Sequence, residues 1–283
     1  MNKTKYIGIR GHRGSGKSTV AYLLGNIIQY IIDNYKSQKG LVVSTVNEVL
    51  ADTYFNVNYK VLCDCIKTDE QAALADMNSN NVYLETFGST PKMLVELLTD
   101  MPHEYFNSDY YKDHVIVNIS DFTWKVVDDA TGEATYGYEN LLDEIERGNI
   151  TEIDDENIYL TLRDFIVYFA TVSMKYLGRS VWVKTVRCNE KKYDQYEDYY
   201  NVGTRYKIFA DIKAPSELDY VHNQGGTIIL VERPEFKKKS KGVSTLDHDD
   251  RCDYRVVINK DISEDEELKS QLIGIALDLV RAQ

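Results

Sequence analysis

Nine residues near the start of the chain combine glycines, a lysine and hydroxyl side chains in a way that suits phosphate. Residues 11–19 read GHRGSGKST. Gly11, Gly14 and Gly16 allow a tight turn, because glycine adopts backbone conformations that other residues avoid. The N–H groups of such a turn can point inward at an anion, and the helix that follows adds its positive N-terminal end. Lys17 supplies a mobile positive charge, so this stretch predicts a loop that holds phosphate groups.

The loop matches the P-loop pattern GxxxxGK(S/T), and its surroundings match as well. An apolar run typical of a strand precedes it, and a long apolar run typical of a helix follows it, as the pattern requires. In this pattern Lys17 reaches the β- and γ-phosphates and Ser18 offers its hydroxyl to Mg²⁺. We therefore expect a nucleoside triphosphate and Mg²⁺ at this loop. The predicted nucleotide-binding residues are Gly11, His12, Arg13, Gly14, Ser15, Gly16, Lys17, Ser18 and Thr19.

Composition and charge argue against several other classes of protein. The chain has 283 residues and a net charge of −12, whereas proteins that bind nucleic acid polymers present a basic surface. Its four cysteines have neither the spacing of a zinc site nor a CxxC pair, which indicates reduced thiols. We see no signal peptide and no apolar run of membrane-spanning length. The expected location is the cytoplasm, with no membrane or nucleic acid partner.

Strand and helix patterns alternate along the chain. This alternation predicts an α/β fold with a parallel sheet covered on both faces, and we interpret 1–283 as a single domain. Ser263 and Glu266 have the spacing of a capping box, which predicts that the last helix begins at residue 264. After the strand that precedes the P-loop, the predicted strands are 41–45, 82–87, 205–211, 227–234 and 254–259.

An acidic region interrupts this pattern. Residues 121–138 are typical of a β-hairpin with the turn sequence DATGE. Eleven acidic residues lie between positions 128 and 157, where Arg147 is the one basic residue. Such a charge run indicates a solvated excursion from the core. We place the acidic insert at about 113–156 and a lid loop at about 235–248.

A P-loop alone does not decide between a GTPase and a kinase. A GTPase needs an NKxD motif to read its base, and in VVINKDIS the acid comes one position early, at Asp261. A kinase of small molecules needs basic residues around the loop and one acid for Mg²⁺, because its catalysis is mainly positioning and charge stabilisation. Asp211 ends an apolar strand, where such an acid would lie. Basic candidates at the ends of elements are Lys92, Arg163, Lys175, Arg179, Lys213 and Arg233.

Four further segments, in order, resemble the phage-type deoxynucleoside monophosphate kinases. With the P-loop they cover most of the chain outside 113–156, and their order carries the resemblance. The resemblance implies a P-loop NTPase three-layer fold and transfer of the ATP γ-phosphate to a (deoxy)nucleoside monophosphate. The segments are FGSTPKMLVELLTDMPHEYFNSDYYK (87–112), LTLRDFIVYFATVSMKYLGRSVWV (160–183), FADIKAPSELDYVHNQGGTIILVERP (209–234) and DYRVVINKD (253–261).

The resemblance also implies roles for individual residues. Lys92 and Arg163 would contact the monophosphate, and Glu217 would hold the corner beside the transferring phosphate. The implied substrate-binding residues are Lys92, Arg163, Thr171, Lys175, Arg179 and Glu217. The implied catalytic residues are Lys17, Asp211, Lys213 and Arg179, with Ser18 and Asp211 at the Mg²⁺ ion.

The chain departs from the family at several of these positions. Lys213 stands where arginine is usual, and lysine keeps the charge but loses the two-pronged grip on phosphate. Val167 and Val172 stand where polar residues are common, and the lid has its own sequence, KKKSKGVSTLDHDD. For Arg163 and Arg179, an ion pair with Asp164 or with the acidic insert is the alternative to a substrate role.

The prediction is a magnesium-dependent kinase whose partner is a nucleoside monophosphate, with a homodimer left open. Two alternatives remain. One is a kinase-like protein that binds nucleotide without catalysis, and the other is a P-loop kinase of another small acceptor. Turnover with a panel of acceptors distinguishes the three.

Overall fold

The structure is a computed structural model, and it describes most of the chain. The described residues are 4–12, 14–37, 40–43, 45–68, 81–127, 137, 141, 143, 147, 158–197, 204–234 and 250–281. Within them the strands are β1 (Thr4–Arg10), β2 (Lys36–Ser37), β3 (Gly40–Leu41), β4 (Val82–Glu85), β5 (Val115–Asn118), β6 (Trp124–Val126), β7 (Tyr159–Thr161), β8 (Arg205–Ile212), β9 (Thr227–Glu232) and β10 (Tyr254–Val257). The helices are α1 (Lys17–Tyr35), α2 (Val46–Leu50), α3 (Thr53–Thr68), α4 (Ser89–Thr99), α5 (Asp109–His114), α6 (Leu162–Leu177), α7 (Val181–Glu197), α8 (Pro215–Asn223) and α9 (Glu266–Arg281), with a 3₁₀ turn at His103–Phe106.

The chain divides into two compact units. Unit 1 comprises Met1–Phe87 and Arg187–Gln283, and unit 2 comprises Gly88–Val186. Two compact units can still belong to one functional domain, so the interpretation of 1–283 as a single domain stays a prediction. No helix among the described residues is long and apolar enough to cross a membrane.

Unit 1 contains a five-stranded parallel sheet in the order β10-β9-β1-β8-β4. The predicted α/β architecture with a central parallel sheet is therefore confirmed. β1 lies in the middle of the sheet, and its apolar sequence suits a strand that is buried on both faces. Because the strands are parallel, the loops at their carboxyl ends meet at one edge.

Helices cover both faces of this sheet. Ile7 and Ile9 of β1 belong to the larger apolar core, which they share with residues of α1, α3 and α9. Gly8 faces the other way, where a methyl group would lie 2.3 Å from Ile212 and 3.3 Å from Val221 on α8. Glycine at this position thus lets α8 approach the sheet closely.

The strand predicted at 41–45 is wrong. Among the described residues of this stretch, Leu41 alone belongs to a strand, Gly40–Leu41, which pairs antiparallel with Lys36–Ser37. Thr45 instead begins α2, because its Oγ1 accepts the N–H of Glu48 while the Glu48 carboxylate accepts the N–H of Thr45. These two reciprocal bonds satisfy the open donors of a helix start, so the chain turns into a helix.

The capping box predicted at Ser263 and Glu266 is also wrong. The buried carboxylate of Asp265 caps α9 by accepting the N–H of Leu268 at 3.0 Å. The side chain of Ser263 donates to Asp261 and accepts from Lys67. An aspartate at the N-cap is as effective as a serine, and this one also accepts the N–H groups of Asn259 and Lys260.

Unit 2 is built around an antiparallel sheet in the order β6-β5-β7. Residues 124–126, in the first part of the predicted hairpin, pair with β5. Most of the second part of the predicted hairpin lies outside the described residues. The turn DATGE and most of the acidic insert lie outside the described residues, as does the lid at 235–248. β5, at the start of the proposed insert, is buried in the apolar core of unit 2 beside α4 and α6.

Candidate functional site

The P-loop sequence forms the connection from β1 to α1 at the carboxyl edge of the sheet. Gly11 and Gly16 have φ values of 153° and 90°. A methyl group on Gly11 would lie 2.3 Å from the carbonyl oxygen of Val231, and one on Gly16 would lie 2.6 Å from Ile258. Both positions therefore require glycine, for conformation and for space. The N–H of Ser15 closes the turn by donating to the carbonyl oxygen of His12 at 3.1 Å.

The start of α1 is arranged to receive an anion. Gly16 is its N-cap in the left-handed conformation and has no side chain with which to cap the helix. The first turn carries no acidic residue that would repel an anion. The first N–H groups of a helix have no partner within the helix, and the positive end of the helix dipole lies there. Ser18 and Thr19 are half-buried in this turn. Arg13, also a predicted binding residue, lies outside the described residues.

Lys17 lies across this loop and reaches the end of the neighbouring strand. Its Nζ donates to the carbonyl oxygen of His12 at 2.9 Å and lies 3.5 Å from Oδ1 of Asp211 on β8. Burial lowers the pKa of the Lys17 ammonium, and the nearby charge of Lys213 lowers it further, while Asp211 opposes the shift. Burial disfavours the charged form of any amine, so an additional anion at this point would be stabilising.

Asp211 stands between two lysines. Its Oδ2 lies 2.6 Å from Nζ of Lys213, opposite the contact with Lys17. Its Oδ1 is buried and accepts no hydrogen bond within the part of the chain that is described. The three side chains together carry one net positive charge. The structure thus brings Lys17, Asp211 and Lys213 together beside the loop.

Glu217 fixes the backbone that follows β8. Its Oε2 accepts the N–H of Lys213 at 2.7 Å and that of Ala214 at 3.0 Å, at the start of α8. Burial raises the pKa of this carboxyl, and the two N–H donors act against that shift. Glu217 therefore contacts the backbone of Lys213 and sets where β8 passes into α8.

The residues present fit a nucleotide phosphate and a magnesium ion. Ser15 is 2% exposed, and its Oγ has no hydrogen-bond partner among the described groups. The loop adds open N–H groups and the Lys17 ammonium, which suit phosphate oxygens. Ser18 and Asp211 offer the oxygen ligands that Mg²⁺ uses, since this ion keeps several waters and needs only one or two protein oxygens. No group of three or more His, Cys, Asp or Glu able to hold a metal occurs among the described residues.

The predicted substrate-binding residues lie in unit 2, except Glu217, which lies in unit 1. Lys92 is half-buried in the first turns of α4, and Thr171 is half-buried on α6. Lys175 is exposed, with Nζ 5.8 Å from the ring of Tyr176. Arg179 is exposed just after α6.

Arg163, in the first turn of α6, is held by two carboxylates. Its Nε lies 2.5 Å from Oδ1 of Asp113, and its Nη2 lies 3.1 Å from both Oδ2 of Asp113 and Oδ1 of Asp109. These bonds raise the pKa of the guanidinium. Asp164, the partner considered in the sequence, instead accepts from the Thr161 hydroxyl at the helix start.

Sequence reasoning missed Asp109 and Lys112, whereas Asp113 is the first residue of the acidic insert that was considered as an alternative partner of Arg163. Lys112 Nζ lies 3.4 Å from Oδ1 of Asp109, which it shares with Arg163. The sequence offered one signal, since DYYKD places two acids and a lysine at helical spacing. Nothing local connected this segment to Arg163, about fifty positions away.

Comparison with known proteins adds no family assignment. A scan of the chain against protein-family models finds no match, and a search of curated proteins finds none either.

Proposed function

We propose that this protein is an ATP- and magnesium-dependent kinase of a (deoxy)nucleoside monophosphate, in a P-loop NTPase three-layer fold like that of the phage-type deoxynucleoside monophosphate kinases. One observation carries the proposal. The glycine-rich turn, the start of α1 and the charged end of β8 meet at the carboxyl edge of the sheet. Ligands of open α/β sheets bind at this edge.

The strand order favours this class over dinucleotide-binding enzymes. Numbered along the chain, the five strands of the sheet have the first strand flanked by the third (β8) and the fourth (β9). In the Rossmann arrangement the first strand lies between the second and the fourth. The loop after β1 also lacks the GxGxxG spacing of that class.

Binding of the donor ATP would depend on the loop. The N–H groups at the start of α1 would bind the β-phosphate, and Lys17 would leave the His12 carbonyl to neutralise the β- and γ-phosphates. Ser18 and Asp211 would hold Mg²⁺, which supplies charge neutralisation across the phosphates when bound. Lys213 would stabilise charge on the group in transfer, and Glu217 would keep that lysine's backbone in place.

The proposed acceptor rests on the resemblance of segments in unit 2 to the substrate segments of the family. A phosphate acceptor is already ionised, so no general base is required, and cations that position it are sufficient. Lys92 and Arg163 would contact the monophosphate, whereas Thr171, Lys175 and Arg179 would lie near the nucleoside, with Arg179 also neutralising charge.

The test is ADP release from ATP and Mg²⁺ against a panel of ribo- and deoxynucleoside monophosphates. A rate that saturates with at least one of them supports the kinase and names its base. ATP binding with a flat response across the panel would reject nucleoside monophosphates as acceptors. Sugar phosphates and alcohols would then be the next acceptors to measure.

A second candidate is nucleotide binding without catalysis. One observation favours it: Lys213 is 73% exposed and meets Asp211 through a single ammonium, where an arginine would offer two parallel donors. This candidate predicts ATP binding that depends on Lys17 together with no turnover of any acceptor.

A further inference from the structure

Four charged side chains of unit 2 form a network that the sequence did not reveal. We call Asp109, Lys112, Asp113 and Arg163 the Arg163 cluster. Arg163 binds both carboxylates, and Lys112 binds the carboxylate of Asp109. The cluster contains two positive and two negative charges and involves α5 and the start of α6.

In this cluster the two cationic side chains are less exposed than the two carboxylates. The side chains of Lys112 and Arg163 are 14% and 25% exposed, whereas those of Asp109 and Asp113 are 83% and 52% exposed. On most protein surfaces the long cationic side chains reach into solvent. Here the cations are held in position and the carboxylates can turn out into water. Ion pairs with exposed carboxylates contribute little to stability, so the carboxylates can be exchanged for another anion.

The carboxylate oxygens mark where a tetrahedral anion would bind. Asp113 takes Nε and Nη2 of Arg163 in a two-pronged arrangement, which is the geometry that arginine also offers to phosphate. Oδ1 of Asp109 lies between Nη2 of Arg163 and Nζ of Lys112, at 3.1 and 3.4 Å. Within the described residues no hydrogen bond uses Nη1 of Arg163, which leaves a further donor for a ligand.

We propose that Lys112 and Arg163 are the cation pair that holds the phosphate group of a phosphate monoester, and that Asp109 and Asp113 occupy this place until the ligand arrives. The proposal rests on the proposed function only in taking that monoester to be the acceptor nucleotide. Lys112 thereby becomes a substrate-binding residue, and the two aspartates become competitors of the substrate. A dianionic phosphate interacts more strongly with two fixed cations than a singly charged carboxylate does.

The decisive variant is Asp109→Asn in the full chain. It removes one competing charge at an exposed position, so folding is little affected. We expect inorganic phosphate and the nucleoside monophosphates of the panel to bind about two- to fivefold more tightly, the effect of one exposed charge. Titration calorimetry measures this. Asp143→Asn is the matched control, because Asp143 forms an ordinary exposed pair with Arg147 on unit 2, and we expect no change in affinity.

The complementary variant is Lys112→Gln. Loss of a charged hydrogen-bond donor should weaken phosphate binding about tenfold. Thermal unfolding of both variants checks that they fold, and Asp109→Asn keeps the test decisive if Lys112→Gln does not. Arg163→Lys should also weaken binding, because lysine loses the two-pronged contact.

The outcomes separate this inference from the proposed function. Unchanged phosphate affinity in Asp109→Asn, with normal turnover of a nucleoside monophosphate, would overturn the cluster as a binding site and leave the kinase intact. Tighter binding in Asp109→Asn and weaker binding in Lys112→Gln, without turnover of any monophosphate, would support the site and reject the nucleotide kinase. Failure of the wild-type chain to bind any of these phosphates overturns the inference.

Discussion

The glycine-rich loop of unit 1 and the Arg163 cluster of unit 2 both contain cationic side chains, but these side chains are held in place in different ways. In the loop, glycine conformations and backbone N–H groups create the site, and Lys17 lies within it. In the cluster, side chains from α5 and α6 hold one another. Lys17, Asp211 and Lys213 together carry one net positive charge beside the loop, whereas the charges of the cluster cancel. If both bind phosphate as proposed, the site in unit 1 is ready for an anion, whereas the site in unit 2 must first release its own carboxylates.

Removal of the loop lysine should have the largest effect. Lys17→Ala takes away the ammonium that lies across the loop, so we expect kcat/KM for ATP-dependent transfer to fall by at least about 100-fold. Coupled ADP release measures the rate, and a thermal melt close to that of the wild type shows that the variant folds. Wild-type activity in this variant would overturn the kinase.

Glycine variants test whether backbone geometry creates the loop site. Gly16→Ala meets both a φ of 90° and a contact of 2.6 Å with Ile258, so we expect a loss of about 1–3 kcal/mol in the free energy of unfolding and loss of ATP binding. Gly178→Ala is the matched control, because Gly178 has a φ of 98° with nothing within 4 Å. It should lose stability but keep its affinity for ATP. Equal ATP affinity in both variants would show that the loop geometry does not create the site.

Replacement of Lys213, next to the loop, by arginine should increase kcat. Lys213→Arg restores two parallel donors beside Asp211, and we expect kcat to rise by about two- to fivefold, as expected for a better-oriented contact to a phosphate in transfer. Lys213→Ala should lower it. The measurement is kcat at saturating ATP, and a lower rate in the arginine variant would contradict this role.

The smallest effect is expected from the pH dependence of Glu217. Burial raises the pKa of its carboxyl above the ordinary value of 4.5. The ionised form therefore opposes folding, so its contribution to stability is most favourable below pH 4.5 and declines as the pH rises through the raised pKa.

Glu217→Gln tests this contribution. The amide oxygen can still accept both N–H groups, so we expect a stability within about 1 kcal/mol of wild type at pH 4 and a relative gain for the variant between pH 4 and 7. Chemical denaturation at several pH values measures the difference. Glu217→Ala, which removes the acceptor, should be less stable at every pH. A difference between the glutamine variant and wild type that does not change with pH would contradict the burial argument.

The fold could be predicted from the sequence where apolar runs are local and recur along the chain. The strands β1, β8, β9 and β10 and the helices between them follow apolar runs, and the parallel sheet follows from their alternation. The helix starts at Thr45 and Asp265 were not predicted correctly, because several cap patterns overlap in those stretches and only the folded backbone selects one.

The sequence by itself determined the loop, because the glycines, the lysine and the helix start lie within nine consecutive residues and their geometry is a property of the local backbone. Asp211 was also indicated, since it ends an apolar strand. Only the tertiary structure decided that Asp211 lies between Lys17 and Lys213, and that Arg163 meets Asp109 and Asp113. These contacts depend on strand order and helix packing, which bring together residues that are far apart in the chain.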